Sequence, residues 1–143
     1  MLALVLAVVW RRPAILLAVA LADAAAEGVA DILKATIGEK RPPARYPEPH
    51  TLLAVPHSSS FPSGHTTTSF ACATALAALV PRAAPAFYLL ALAVGFSRIY
   101  VGVHWPLDVV GGIVLGIALG AAVTALLRRE AGRRRSGRRR RRG

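Results

Sequence analysis

Three short stretches of this sequence hold residue types that could bind an anion and move a proton. They supply three cations, two imidazoles, one carboxylate, one hydroxyl and the start of a helix. In chain order these residues are Lys34 and Arg41, then Ser63, Gly64 and His65, and finally Arg98, His104 and Asp108. A set of this kind predicts an anion site with proton-transfer groups beside it.

The stretch around Ser63 favours phosphate as the anion. A helix that opens directly after Pro62 points unpaired backbone N–H groups and its positive dipole end at a ligand, and Gly64 lets the ligand approach the backbone closely. The three cations could bind the non-bridging oxygens, with two parallel hydrogen bonds from each arginine. They would also stabilise the charge on a transferring phosphoryl group without a metal ion.

The stretch around His104 favours nucleophilic attack and proton transfer. His104 and Asp108 lie four residues apart at a predicted helix start, and therefore on one face. The carboxylate can accept a hydrogen bond from one ring nitrogen and leave the lone pair of the other free for attack. His65 comes from a separate part of the chain and can protonate the leaving oxygen.

Each stretch alone also has a purely structural explanation. Ser63 could cap a helix, and a histidine–aspartate pair can stabilise a helix end. Arg98 is harder to explain in this way, because an unpaired guanidinium at membrane depth is expensive. All three stretches occur in this order and on one side of the predicted membrane, which favours the functional interpretation.

The elements that must position these residues are helices of bilayer length. Hydrophobic residues make up 55% of the chain and charged residues 17%, against about 25% charged in an average soluble domain. A span needs about 20 mostly apolar residues, and four segments approach that length, at residues 13–34, 63–80, 83–103 and 109–127. Residues 1–9 cover only about 14 Å. The predicted fold is an all-α integral membrane bundle of four full spans plus a partial N-terminal helix.

Polar and small residues within these segments indicate how the helices pack. One stripe on the first span is predicted to be a polar seam against neighbouring helices, with an Asp31–Lys34 pair and with direct catalysis as the alternative. This stripe consists of Asp23, Glu27, Asp31 and Lys34. In the last span a glycine at every fourth position allows close helix packing, at Gly112, Gly116 and Gly120.

The positive charge is concentrated at the C-terminus. Residues 128–143 hold ten arginines and Glu130, so only +2 of the formal net charge of +11 belongs to residues 1–127. A basic nucleic-acid-binding fold is therefore excluded for the body, and the tail lacks aromatic residues that would stack on bases. We expect no nucleic acid partner, and instead anionic lipid head groups at a disordered tail.

The lysines and arginines also predict the orientation in the membrane. If successive helices alternate in direction, thirteen of them lie on one side and five on the other. The positive-inside rule then places the tail in the cytoplasm and the loop at residues 37–62 outside. The sequence thus predicts a multi-pass protein of the cell membrane with an extracytoplasmic active site.

These motifs resemble those of the type 2 phosphatidic acid phosphatases, which share their site with the glucose-6-phosphatases and the vanadium haloperoxidases. The matching stretches are residues 34–42, 62–65 and 97–108, and the resemblance covers about residues 13–127. It implies that His104 forms a phosphohistidine, that Asp108 orients it and that His65 is the general acid. It also implies a phosphate site without metal or other cofactor, formed by Lys34, Arg41, Ser63, Gly64 and Arg98.

The resemblance further implies a phosphomonoesterase or diphosphatase that acts on a lipid phosphate, with residues 1–127 as the phosphatase domain and residues 128–143 as the tail. Candidate substrates are a polyprenyl diphosphate such as the undecaprenyl carrier of cell-wall synthesis, phosphatidic acid and phosphatidylglycerol phosphate. The predicted extracytoplasmic face favours the first. Family members usually have six spans, so we expect the first and most of the second to be absent here. Two alternatives stay open: a truncated, non-catalytic membrane protein that binds anions, and a vanadium-dependent haloperoxidase-like enzyme.

Overall fold

The structure is a computed structural model, and it describes residues 13–45, 52, 55 and 57–140. Within these residues the chain forms helices and contains no strand. The helices are α1 (Pro13–Ile37), α2 (Pro42–Arg45), α3 (Gly64–Leu79), α4 (Ala84–Tyr100) and α5 (Pro106–Arg140), with a 3₁₀ turn at Pro81–Ala83. The predicted all-α bundle is confirmed, and the helix predicted at residues 1–9 lies outside the described residues.

Prolines and glycines set the helix boundaries. Pro13 and Pro106 are each the first residue of a helix, where a missing N–H costs no hydrogen bond. α1 ends before Gly38 with φ of 68°, and the turn after α4 contains Gly102 with φ of 76°. Glycine adopts this left-handed backbone without steric cost, so the chain can reverse direction at both points.

α3 lies at the centre of the bundle and packs against α1, α4 and α5. Its contact with α5 depends on glycines, because a Cβ atom at Gly120 would lie 2.5 Å from the Ala71 carbonyl oxygen. A Cβ atom at Gly112 would lie 3.0 Å from the carbonyl oxygen of Ser63. Close packing of this kind brings the N-termini of α3 and α5 together, and both termini carry predicted site residues.

The outer surface of the bundle is apolar, as in helices that face lipid. Leu89 and Phe96 of α4 are 65% and 66% exposed. Two segments, Pro81–Tyr100 and Pro106–Arg134, are long and apolar enough to cross a membrane by length and composition, with mean hydropathies of 1.4 and 2.3. α1 carries the acidic stripe and α3 has only 16 residues, so full spans at these two helices stay a prediction.

The C-terminal tail differs from its sequence prediction, because α5 continues through it to Arg140. Arginine and alanine are good helix formers, and the Arg133 guanidinium lies 3.6 Å from the Glu130 carboxylate one turn away. Arg128 donates a hydrogen bond of 2.8 Å to the Ala78 carbonyl oxygen near the end of α3. This bond attaches the start of the tail to the bundle.

Candidate active site

His104 and Asp108 lie where the turn after α4 enters α5. Asp108 is in the first turn of that helix, and His104 comes two residues before its start. The His104 Nδ1 atom is 3.1 Å from Asp108 Oδ2, and the two side chains are 4% and 0% exposed. The structure therefore brings the predicted pair into a buried contact.

The Asp108 carboxylate is held by three donors from two parts of the chain. Its Oδ2 atom accepts hydrogen bonds from the His104 ring, from the Trp105 backbone N–H at 2.8 Å and from the Ser60 hydroxyl. Within the described residues its Oδ1 atom has no hydrogen-bond partner. Three donors around one oxygen match an ionised carboxylate, which can only accept.

Arg41 reaches the opposite side of the His104 ring. Its Nη1 atom donates to His104 Nε2 at 3.2 Å and to the Val103 carbonyl oxygen at 2.9 Å. Because a guanidinium can only donate, Nε2 must be the acceptor, and the proton of the neutral ring lies on Nδ1 toward Asp108. This tautomer directs the Nε2 lone pair at a cation.

The rest of the Arg41 guanidinium is held by the segment before α3. Its Nε atom donates to the Ser58 carbonyl oxygen at 2.8 Å, and Nη2 donates to the Ser58 hydroxyl at 3.2 Å and to the Ser59 carbonyl at 3.3 Å. Burial lowers the pKa of Arg41, against the opposing effect of the Asp108 carboxylate. Since the ordinary pKa of arginine lies far above neutrality, the guanidinium keeps its charge at neutral pH.

Ser63 joins the starts of α3 and α5 and does not cap α3 with its side chain. Its hydroxyl accepts a hydrogen bond of 3.0 Å from the Thr66 hydroxyl. Its backbone N–H donates to the Asp108 carbonyl oxygen at 3.0 Å, and the residue is fully buried. The capping explanation considered for this serine is therefore wrong.

Lys34 reaches the N-terminus of α3 from α1. A Cβ atom at Gly64 would lie 3.0 Å from Lys34 Nζ, so the glycine is what allows the ammonium group to approach the helix backbone. The same Nζ atom lies 3.2 Å from Asp31 Oδ1, which confirms the predicted pair. The Lys34 side chain is 16% exposed and that of Asp31 is 67% exposed, so the ammonium group is the better shielded partner.

His65 and Arg98 complete the group of predicted site residues. His65 is exposed in the first turn of α3, and its ring interacts electrostatically with Arg98, His104, Lys34 and Arg41. Arg98 is half-buried near the end of α4 and donates from Nε to the Ser97 hydroxyl at 3.1 Å. All eight predicted site residues thus lie around the N-terminus of α3.

A cavity of about 230 Å³ opens beside this terminus, and its lining residues are Asp23, Glu27, Ala30, Asp31, Lys34, Gly64, His65 and Thr68. The acidic stripe of α1 therefore borders an open cavity, whereas the sequence predicts that it packs against neighbouring helices. The buried face of α1 is instead a row of alanines, at Ala18, Ala22, Ala26 and Ala30. Their small side chains allow the closer helix approach.

Sequence reasoning missed the segment that supports the buried part of the site. Ser58 and Ser59 hold Arg41, and Ser60 donates to Asp108. The available signal is the run of three serines directly before Phe61 and Pro62, which is unusually polar for a chain this apolar. Across the described ranges, no group of three His, Cys, Asp or Glu side chains could hold a metal ion.

The fold and the site define a class of helical membrane proteins in which a histidine–aspartate pair lies among cations at a helix N-terminus. Residues 14–131 match the family described as the PAP2 superfamily. This match covers most of the chain, and the protein therefore belongs to the PAP2 superfamily.

Three relatives of known activity illustrate the breadth of the match. The lipid A 1-phosphatase of Rhizobium etli is 39% identical over 93 residues, which are 62% of this chain and 40% of that protein. The undecaprenyl-diphosphatase BcrC of Bacillus subtilis is 39% identical over 71 residues, or 50% of this chain and 37% of BcrC. The decaprenylphosphoryl-5-phosphoribose phosphatase of Mycobacterium tuberculosis is 36% identical over 107 residues, which are 71% of this chain and 55% of that protein. The matches thus span between 37% and 55% of these relatives' lengths.

Two solved structures share the fold. The crystal structure of Aquifex aeolicus LpxE aligns with a TM-score of 0.70 and 32% identity, covering 85% of this chain and 73% of that one. A transmembrane PAP2-type phosphatidylglycerolphosphate phosphatase from Bacillus subtilis aligns with a TM-score of 0.62 and 27% identity, covering 79% of this chain and 59% of that one. Together with the apolar helices, these likenesses support a membrane location.

Proposed function

We propose that this protein is a membrane lipid phosphatase that acts on a lipid phosphate or polyprenyl diphosphate through a phosphohistidine on His104. The observation that carries the proposal is the His104 ring, with Nδ1 3.1 Å from Asp108 Oδ2 and Nε2 3.2 Å from Arg41 Nη1. This geometry supports a neutral imidazole whose lone pair is directed at a cationic site, as nucleophilic attack on a phosphate requires. Membership of the family supports the same class of reaction.

In the first step, Nε2 of His104 attacks phosphorus, and the bond from phosphorus to the leaving oxygen breaks. His65 donates a proton to that oxygen, so the lipid alcohol or lipid phosphate departs. Because one lone pair cannot serve two partners, Arg41 Nη1 must first transfer its hydrogen bond from Nε2 to a phosphate oxygen. Asp108 stabilises the positive charge that the ring gains.

In the second step, water attacks the phosphohistidine, and the bond between phosphorus and Nε2 breaks. His65, now the base, accepts the proton of the attacking water. Orthophosphate leaves, and His104 returns to its neutral form. Throughout both steps the phosphoryl oxygens are bound by the backbone N–H groups at the start of α3 and by Lys34, Arg41 and Arg98.

A metal-independent reaction is expected to survive a chelator and to fall with vanadate. Vanadate can occupy the phosphate site as a five-coordinate mimic of the transferring group, and it should therefore bind more tightly than substrate. The measurement is orthophosphate release by the full chain in detergent, with polyprenyl diphosphate, phosphatidic acid, phosphatidylglycerol phosphate and lipid A as substrates. Activity that is lost in chelator and restored by magnesium would contradict metal independence, and inactivity on every substrate would contradict the proposed function.

The lipid nature of the substrate is supported by the membrane bundle and by the names of the relatives, which are a lipid A 1-phosphatase, an undecaprenyl-diphosphatase and a decaprenylphosphoryl-5-phosphoribose phosphatase. A site at the bilayer surface meets such lipids at high local concentration. Among them we favour a polyprenyl diphosphate, because the charge asymmetry predicts that the site lies on the extracytoplasmic face. The same orientation predicts a cytoplasmic location for the arginine-rich tail, where we propose that it binds anionic lipid head groups.

This orientation predicts which cysteines an impermeant thiol reagent can reach in intact cells. With Cys72 replaced by alanine, His57→Cys should be labelled from outside, since His57 is exposed in the segment before α3. Gly132→Cys is the matched control on the opposite side and should be labelled only after the cells are opened. The reverse pattern would invert the topology and remove the reason for preferring an exported carrier lipid.

A further inference from the structure

Ser60 is a fully buried side chain that the proposed reaction does not use. It lies in the segment before α3, and its backbone N–H donates to the Glu39 carbonyl oxygen at 2.8 Å. Its hydroxyl donates to Asp108 Oδ2, which is 48 positions further along the chain. A buried hydroxyl satisfied by a buried carboxylate indicates that the two groups depend on each other.

The acceptor of this hydrogen bond is the same oxygen that holds the imidazole. Asp108 Oδ2 also accepts from the Trp105 backbone N–H at 2.8 Å and lies 3.1 Å from His104 Nδ1. Rotation of the carboxylate would break all three hydrogen bonds together. Of the three donors, the Trp105 group belongs to the backbone and His104 is the group being oriented. Ser60 is therefore the side chain, within the described residues, that fixes the carboxylate from outside the pair.

The neighbours of Ser60 hold the opposite side of the same ring. Ser58 and Ser59 accept the hydrogen bonds of Arg41, and Arg41 donates to His104 Nε2. Residues 58–60 thus support both nitrogens of the imidazole, one through a guanidinium and the other through a carboxylate. Displacement of this segment would therefore weaken the hydrogen bonds at both nitrogens of the His104 ring.

We propose that Ser60 is a positioning residue for His104, which acts by holding Asp108 Oδ2 against Nδ1 and by sharing the negative charge of the carboxylate. The proton then stays on Nδ1 and the lone pair stays on Nε2. The kinetic consequence of this inference rests on the proposed function. The effect of Ser60 on the His104 imidazole does not, because it can be measured in the protein without substrate.

The kinetic test compares Ser60→Ala with Ser69→Ala, because Ser69 is a half-buried serine of α3 that makes no hydrogen bond to a site residue within the described residues. Loss of one hydrogen bond to a charged group corresponds to about a 10- to 100-fold change. We expect Ser60→Ala to lower kcat by this factor with KM within about twofold, since the bound oxygens of the substrate lose no contact. Ser69→Ala should keep the kcat of the wild type.

The pH profile separates positioning from a general structural defect. A carboxylate that has lost a donor holds an imidazolium more strongly, so the acid limb of the kcat profile should move to higher pH in Ser60→Ala. The other titratable or charged groups near the ring, Arg41 and His65, are the same in both variants. A lower kcat with an unmoved acid limb would overturn the proposal, and so would a Ser60→Ala profile that matches Ser69→Ala.

A measurement without substrate keeps the inference separate from the proposed function. In ¹⁵N-histidine NMR of the detergent-solubilised chain at a fixed pH, the His104 tautomer with its proton on Nδ1 should lose population in Ser60→Ala and keep its population in Ser69→Ala. If Ser60→Ala does not fold, Ser60→Cys keeps a weaker donor at this position and should show a smaller loss in the same direction. An unchanged tautomer population would overturn the role of Ser60 even if the wild type hydrolyses lipid phosphates. A wild type inactive on every lipid would refute the proposed function alone.

Discussion

Replacing His104 with alanine is expected to abolish phosphate release, with kcat lower by at least about 10⁴-fold. The substitution removes the proposed nucleophile, and no described side chain offers a second imidazole to the Asp108 carboxylate. The bundle should persist, because Arg41 Nη1 keeps its 2.9 Å hydrogen bond to the Val103 carbonyl oxygen. The measurements are orthophosphate release and thermal unfolding of the purified chain in detergent.

Two further histidines provide the controls for this prediction. His57 is exposed outside the site, and His57→Ala should keep wild-type activity. His65→Ala should retain part of its activity, or accumulate phosphoenzyme, with a substrate whose leaving group needs no protonation. Equal turnover by the wild type and His104→Ala would rule out the phosphohistidine mechanism.

Arg41→Lys is expected to lower kcat/KM by about 10²- to 10³-fold, although the charge is kept. The guanidinium donates to Val103, His104, Ser58 and Ser59 through three different nitrogens, and a single ammonium group cannot reproduce that fork. Hydrogen bonds to charged groups contribute about 1.5–3 kcal/mol each, so the loss of one or two accounts for the expected range.

Arg45→Lys is the matched control, because Arg45 is exposed at the end of the short helix α2. It should leave kcat/KM within a few-fold of the wild type. The contrast is best measured on one lipid phosphate at fixed detergent and salt. Similar kcat/KM values for Arg41→Lys and Arg45→Lys would show that Arg41 contributes only charge. The several hydrogen bonds of the guanidinium would then have no part in the reaction.

The parts of the site that the sequence predicts correctly in space are those set by local geometry. His104 and Asp108 meet because only the short turn that enters α5 separates them, and the Trp105 backbone N–H of that turn donates to the same carboxylate. Lys34 and Asp31 pair because they lie one turn apart on α1. The long helices are likewise predictable, since uncharged runs of bilayer length have few other stable conformations in an apolar environment.

The parts that sequence reasoning missed depend on contacts between distant residues. Ser60 and Asp108 are 48 positions apart and Arg41 and Ser58 are 17 apart, so neither contact follows from a periodicity. The prediction for the acidic stripe on α1 was wrong for the same reason. A helical wheel shows which residues share a face, but it does not show which part of the protein that face contacts. The helical tail was missed because the end of the apolar run was equated with the end of the helix.

Because α5 continues into that tail, only part of the tail's positive charge can interact with a membrane surface. With 35 residues the helix is about 52 Å long, against a hydrocarbon core of about 30 Å. In a helix along the membrane normal, the backbone at Arg140 lies about 18 Å beyond that at Arg128. Charges are screened over a Debye length of about 8 Å at physiological ionic strength. An extended tail without helical structure could lay all its arginines on the lipid, but a helix along the membrane normal offers the lipid only the first turns of the tail and extends the remaining charge into the aqueous phase.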